Sequence, residues 1–225
     1  MRAYRIRISL AGTDPLIWRE ITVPEGIRFS QLHKIFQKAM GWEDRHDYFF
    51  SLNEGYTRIT GIREEYEEYS LVKRLTENNE LNRDNDPNAM QTALLQKEMK
   101  YAGTTRVGRY LEETGRFVYV YDLGDHWIHD IEIIDIIEDY KFGYPKLHRG
   151  SEHCPPENIG GAIKYGHLLK ARESNDPECL NLAWDLLEDK GTPYDPKAVN
   201  KEFRENMRFS EKTRIRAKAQ ERIAV

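Results

Sequence analysis

The first ten residues carry the pattern that most limits the fold of this chain. Bulky side chains alternate with charged or small ones, and the bulky ones are Tyr4, Ile6, Ile8 and Leu10. A period of two is typical of a β-strand that buries one face. Turn-forming residues occupy 12–15, and residues 17–23 resume a strand-like pattern. We therefore expect the chain to begin with an antiparallel hairpin rather than with a signal peptide.

The rest of the pattern predicts the fold class. Apolar residues at helical spacing over 32–40 predict a helix that ends at Gly41, and residues 47–52 predict a third strand. Residues 117–121 and 127–137 predict two more strands, with a change of apolar phase near Ile134 that indicates a bulge or a sheet edge. Short helices are predicted at 107–113, 162–171 and 180–187 and after Pro196. We predict an α+β fold with a mixed or mostly antiparallel sheet (β-β-α-β … β-β) packed against helices, and a helical C-terminal part.

The domain organisation follows from local composition. We expect one domain over residues 1–200, interrupted by a variable excursion at 54–105, and a basic helical tail at 201–225. The excursion is acidic over 54–99, is rich in Asn and Asp over 78–88, and carries one predicted helix at 89–99. It forms either a lid or a poorly ordered loop, and the sequence does not choose between them.

Charge and composition exclude several classes of protein. The chain has 34 Lys and Arg against 38 Asp and Glu, which excludes a uniformly basic surface, and no apolar run approaches the length of a membrane span. Its two cysteines indicate a reduced, cytoplasmic protein rather than a disulfide framework. The last 25 residues hold eight basic and four acidic side chains. The candidates for contacting nucleic acid there are Lys212, Arg214, Arg216 and Lys218.

The most informative stretch is acidic. Residues 117–140 contain seven carboxylates and no Lys or Arg. Asp122 and Asp125 flank a tight turn, and His129 follows it, so oxygen and imidazole ligands for a divalent ion lie close together in sequence. Asp at a hairpin turn also commonly bonds its own backbone, and acids alternating on a strand are typical of a solvated face. Both interpretations stay open.

A second candidate is the stiff loop at residues 154–157. Two prolines between Cys154 and Glu157 fix the backbone, so the loop presents its flanking side chains in preset positions. Cys154 is then a thiolate nucleophile or metal ligand, or else a packing residue in a rigid corner.

These segments together resemble a known family, the plasmid pRiA4b ORF-3-like proteins. The matching motifs are Ile17-Trp18-Arg19, Leu32-His33, Gly41-Trp42, residues 121–129, residues 154–161 and Tyr194-Asp195-Pro196. The resemblance covers nearly the whole chain except residues 54–105 and those after 210. It implies an α+β fold and mobile-element biology but no particular activity.

We expect a non-enzymatic binding or interaction domain without a cofactor, accessory to plasmid or transposable-element DNA. Its ligand-facing residues are predicted to be Asp122, Asp125, Trp127, His129, Cys154 and Glu157. The alternative is a metal-assisted hydrolase that holds a divalent metal with Asp122, Asp125 and His129 and completes its site with Cys154 or Glu157. A third hypothesis is a module that binds a protein partner through residues 54–99.

Overall fold

The computed structural model describes residues 1–77, 97–173, 177–178, 181, 187 and 194–209. The strands are β1 (Ala3–Leu10), β2 (Trp18–Pro24), β3 (Tyr48–Leu52), β4 (Thr57–Thr60), β5 (Glu98–Tyr101), β6 (Arg116–Tyr121), β7 (Trp127–Ile137) and β8 (Lys146–Ser151). The α-helices are α1 (Phe29–Met40), α2 (Arg63–Glu77), α3 (Gly108–Thr114), α4 (Gly161–Arg172) and α5 (Pro196–Asn206).

The eight strands form one sheet in the order β5-β4-β3-β6-β7-β1-β2-β8. Every neighbouring pair is antiparallel except β4 and β5, which are parallel. The predicted α+β class, with a mixed and mostly antiparallel sheet packed against helices, is therefore confirmed.

The alternation in β1 decides which face of the sheet is buried. Its four bulky side chains have no exposed surface, whereas Arg5, Arg7 and Ser9 point to the opposite face and stay partly exposed. The strand lies inside the sheet, between β2 and β7. A register shift between β1 and β7 next to Arg5 and Ile6 confirms the predicted irregularity in β7.

Helix α1 supplies the apolar stripe that closes the core. The residues predicted at helical spacing are all buried there, and they are Leu32, Ile35, Phe36, Ala39 and Met40. Gly41 ends the helix with φ 97°, and its N–H donates to the carbonyl of Gln37 at 2.8 Å. A left-handed residue at this position favours glycine because a side chain would be strained there.

The excursion at 54–105 differs from the prediction in the part that is described. β4 and β5 are strands of the main sheet, and α2 packs against them, so these segments belong to the core architecture rather than to a lid or loop. Glu98 and Met99, predicted as helix, belong to β5. The remainder of that predicted helix, most of the one at 180–187, and residues 210–225 lie outside the described residues.

β8 was not predicted, and it forms an edge of the sheet that α5 covers. The side chain of Asn200 accepts a hydrogen bond from the N–H of Leu147 at 2.9 Å and donates one to its carbonyl at 2.8 Å. An open edge strand offers unpaired backbone groups to other chains, and Asn200 occupies one such pair. Within the described ranges, no helix is both long and apolar enough to cross a membrane.

Candidate functional site

The predicted metal ligand Asp122 is used by its own turn. It has φ 60°, and its Oδ1 accepts hydrogen bonds from the N–H groups of Gly124 at 2.9 Å and Asp125 at 3.2 Å. Its Oδ2 lies 3.4 Å from Nε2 of His46. The carboxylate is almost fully buried, and it holds the β6–β7 turn together.

Asp125 ties the tip of the same hairpin to the start of α4. Its Oδ2 accepts a hydrogen bond from the N–H of Gly160 at 2.8 Å. Gly161 has φ 79°, and a Cβ atom there would lie 2.5 Å from the carbonyl oxygen of Asp125. The contact therefore depends on glycine, and the side chain of Asp125 acts as a clamp between two loops.

Trp127 and His129 point into the core and have no exposed surface. Nδ1 of His129 lies 3.0 Å from the carbonyl of Trp127 and 3.3 Å from that of Tyr119, so this nitrogen carries the proton and donates it. Burial lowers the pKa of His129 to about 3. The imidazole is therefore neutral at physiological pH. Neither its Nε2 nor Nε1 of Trp127 has a hydrogen-bond partner among the described residues.

The loop at 154–157 is also turned inward. Cys154 is 3% exposed, and burial raises the pKa of its thiol well above the usual value, which makes a thiolate unfavourable. Glu157 accepts a short hydrogen bond from the hydroxyl of Tyr121. Nε1 of Trp42 donates to the carbonyl of Pro155 at 2.9 Å, and its ring stacks on Tyr121 with 5.0 Å between centroids.

Two buried polar groups were missed by the sequence analysis, and the first is Arg19. Its guanidinium donates to four backbone carbonyls, with the shortest contact 2.6 Å to Ser151, and it lies 4.2 Å from the centroid of the Tyr194 ring. It links the end of α1 to the segment after β8. The motif at 194–196 thereby contacts the motif at 17–19, and the sequence gives no direct sign of this pairing.

The second missed feature is a series of hydrogen bonds that runs from the surface into the core. Nε2 of His33 lies 2.5 Å from Oδ1 of Asp44, and its Nδ1 lies 2.7 Å from the hydroxyl of Tyr119. The same hydroxyl accepts a bond from Gln37 at 3.0 Å, and the ring of His33 stacks on Tyr48 at 3.5 Å. Burial lowers the pKa of His33, so its imidazole is neutral and makes both hydrogen bonds without carrying a charge.

The structure does not bring the three predicted metal ligands together. The side chains of Asp122, Asp125 and His129 bond to three different places rather than to a common point. No group of three or more His, Cys, Asp or Glu side chains in the described part of the chain is placed to hold a metal ion. The nucleic-acid candidates Lys212, Arg214, Arg216 and Lys218 lie outside the described residues.

The face of the sheet opposite α1 offers a different surface. A row of alternating charges crosses five neighbouring strands in register, and its members are Arg116, Glu132, Arg7, Glu20 and Arg149. Its two outer arginines are exposed by more than 70%, and each donates to a neighbouring glutamate at 2.6 Å or 2.8 Å. This part of the face is open to solvent.

The open face divides into two electrostatic halves. On β7 it carries carboxylates, which are Asp130, Glu132 and Asp135. On β1 and β8, which lie on either side of β2, it carries cations, which are Arg5, Arg7, Lys146 and Arg149. We call the second group, together with Trp18 and His148, the basic half.

One carboxylate, Glu20, lies among the residues of the basic half. It is 5% exposed and pairs with Arg149 at 2.8 Å and Arg5 at 3.8 Å. Nε2 of His148 lies 2.8 Å from the hydroxyl of Thr22. The pKa of His148 is lowered by burial first and then by the charges of neighbouring cations. Those cations are Arg5, Lys146 and Arg149. The imidazole therefore lies in a region of positive potential.

Comparisons with known proteins agree with the motifs. The family model described as plasmid pRiA4b ORF-3-like protein matches residues 2–202. Uncharacterized protein y4hQ of Sinorhizobium fredii is 29% identical over 200 residues, which are 87% of this chain and 85% of the relative. A crystal structure of a protein of unknown function from Methanosarcina mazei Go1 has the same fold, with a TM-score of 0.65 and 24% identity. That match covers 88% of this chain and 97% of the other.

Proposed function

The chain belongs to the family of plasmid pRiA4b ORF-3-like proteins, and we propose that it is a non-enzymatic DNA-binding module, accessory to plasmid or transposable-element DNA. The observation that carries the proposal is the basic half of the open sheet face. There four cations on two strands, β1 and β8, flank a single carboxylate on β2, between them, that is already paired. Clustered Lys and Arg on one surface are the electrostatic requirement for binding phosphates.

The groups that catalysis would need are engaged elsewhere. The carboxylates of Asp122 and Asp125 accept hydrogen bonds from backbone N–H groups, and that of Glu157 accepts one from a tyrosine. His129 is neutral and enclosed, and Cys154 is buried as a thiol. This favours binding over the hydrolase alternative, because each of these side chains stabilises its own turn, loop or part of the core.

The charge distribution also limits where the DNA lies. The carboxylates on β7 repel phosphates, so the strand of nucleic acid follows β1, β2 and β8. The basic tail at 212–218 is a second source of phosphate contacts, and its contribution must be separated from that of the face.

The test is fluorescence anisotropy of a labelled 20-mer, single-stranded and duplex, at 50 and 200 mM NaCl. If the protein makes four phosphate contacts, raising NaCl from 50 to 200 mM should weaken binding on the order of 50-fold for single-stranded DNA and 150-fold for duplex DNA. Lys146→Ala and Arg7→Ala are chosen because Glu20 pairs with the other two cations. Each removes one contact, which for single strands reduces the salt effect from about 50-fold to about 18-fold.

Arg116→Ala is the matched control, since Arg116 is on the same face but outside the basic half and pairs with Glu132 at 2.6 Å. It should bind DNA as the wild type does. A variant with alanine at the four tail positions 212, 214, 216 and 218 measures the tail separately. Absence of binding at 50 mM NaCl, or equal binding by Lys146→Ala, Arg7→Ala and the wild type, contradicts the proposal.

A further inference from the structure

We propose that the basic half selects single-stranded DNA by stacking a base on Trp18, an inference that rests on the proposed function. Trp18 begins β2 on the open face and is partly exposed. Its register partners across the sheet are Ser9 on β1 and Ser151 on β8. Because both partners are small, the side chains that lie over the partly exposed indole are the mobile guanidinium groups of Arg7 and Arg149, and a planar base stacks on the ring by displacing one of them.

The cations are arranged around this ring. The guanidinium of Arg7 lies 4.3 Å from its centroid, and that of Arg149 lies 5.8 Å away. Planar guanidinium groups stack with bases as aromatic rings do, and they also bind phosphates. Stacking surface and phosphate ligands are therefore present within one patch, which is the combination that single-strand binding uses.

Double-stranded DNA cannot place a base on the ring of Trp18. Its bases are stacked inside the helix, and its major groove is about 12 Å wide and admits a helix or a two-stranded ribbon. Trp18 lies on a strand with neighbours on both sides in an eight-stranded sheet. At about 4.8 Å between strands, that sheet is too wide to enter the groove. Only a base that is free of its partner strand reaches the indole.

Charge complementarity points to a polyanion, and an acidic polypeptide is the other polyanion that the cations could hold. It has no planar bases, so it leaves the indole unused. Phosphate contacts alone would likewise give equal affinity for a strand with bases and a strand without them. The identity of the occupant is therefore decided by comparing ligands that share a charge but differ in their bases.

The experiment measures affinity for three probes: oligo-dT of 20 nucleotides, an abasic strand of the same length, and poly-glutamate. We expect the wild type to prefer oligo-dT over the abasic strand by about 5-fold to 150-fold, the range for stacking one base. Trp18→Leu should lose this preference and keep its salt dependence. Trp18→Phe should keep most of the preference for oligo-dT. Phe142→Leu, at an aromatic residue 44% exposed outside the sheet, is the control and should bind as the wild type does.

The outcomes separate the two proposals. Equal binding of oligo-dT and the abasic strand, with salt dependence and sensitivity to Lys146→Ala retained, overturns base stacking and leaves DNA binding intact. Stronger binding of poly-glutamate than of oligo-dT overturns both, as does absence of binding to either strand. If Trp18→Leu fails to fold by circular dichroism, the wild-type preference and Trp18→Phe still decide the question.

Discussion

The burial of His129 makes a quantitative prediction about acid stability. The imidazole has a pKa of about 3 in the folded protein, and an ordinary value near 6.5 applies when the chain is unfolded. Below pH 6.5 the unfolded state binds a proton that the folded state does not take up. Stability is therefore lost as the pH falls, by about 1.4 kcal/mol per pH unit from this one group. Between pH 7.5 and pH 4.5 the loss amounts to about 3 kcal/mol.

The test compares the wild type with His129→Asn, which retains an N–H donor for the carbonyl of Trp127 but does not titrate. Urea unfolding at pH 7.5, 6.0 and 4.5 gives the free energy of unfolding of both proteins. The variant should be less stable at pH 7.5 because it leaves a small cavity, but its loss on acidification should be smaller by about 3 kcal/mol. His33 and His148 are present in both proteins, so their titration cancels in the difference.

Parallel pH profiles for the two proteins, within about 0.5 kcal/mol, would refute the assignment of a neutral and enclosed imidazole to His129. If His129→Asn does not fold, NMR titration of the wild type replaces the comparison. The His129 ring signals should then show no protonation down to about pH 4 in the folded protein.

Three further predictions concern stability and affinity. Glu20→Gln should tighten DNA binding several-fold in the anisotropy assay, because it removes the one negative charge of the basic half, while it lowers the melting temperature. Gly161→Ala should cost about 2 kcal/mol or more in urea unfolding, owing to its positive φ and the contact with Asp125, whereas Gly166→Ala, in open space on the same helix, should be neutral or stabilising. Asn200→Ala should uncover the edge strand β8 and increase aggregation measured by light scattering; an unchanged monomer would contradict the protective role of Asn200.

Two of the elements predicted correctly from the sequence, β1 and α1, have one fully buried face. In β1 and α1 the apolar residues recur with a period that matches the backbone, because each element lies against the same core. β4, β5 and β8 have no such run. They form because a neighbouring strand supplies their hydrogen-bond partners, which depends on residues far away in the chain.

The candidate site illustrates the same limit. Asp122 and Asp125 are close in sequence to His129, but a strand sends alternate side chains to opposite faces and a turn folds its carboxylates back onto its own N–H groups. Nearness in sequence therefore did not bring them together. The basic half was missed for the converse reason, since Arg7 and Arg149 meet only after β8 joins the sheet next to β2.

The most direct test of the central claim, that DNA binds the open sheet face, is an NMR titration of the ¹⁵N-labelled protein with oligo-dT. We predict that the indole N–H of Trp18 and the amides of β1, β2 and β8 shift together, whereas the amides of residues 122–129 and 154–157 stay in place. Shifts centred on those two segments, with the signals of the open face unchanged, would contradict the account.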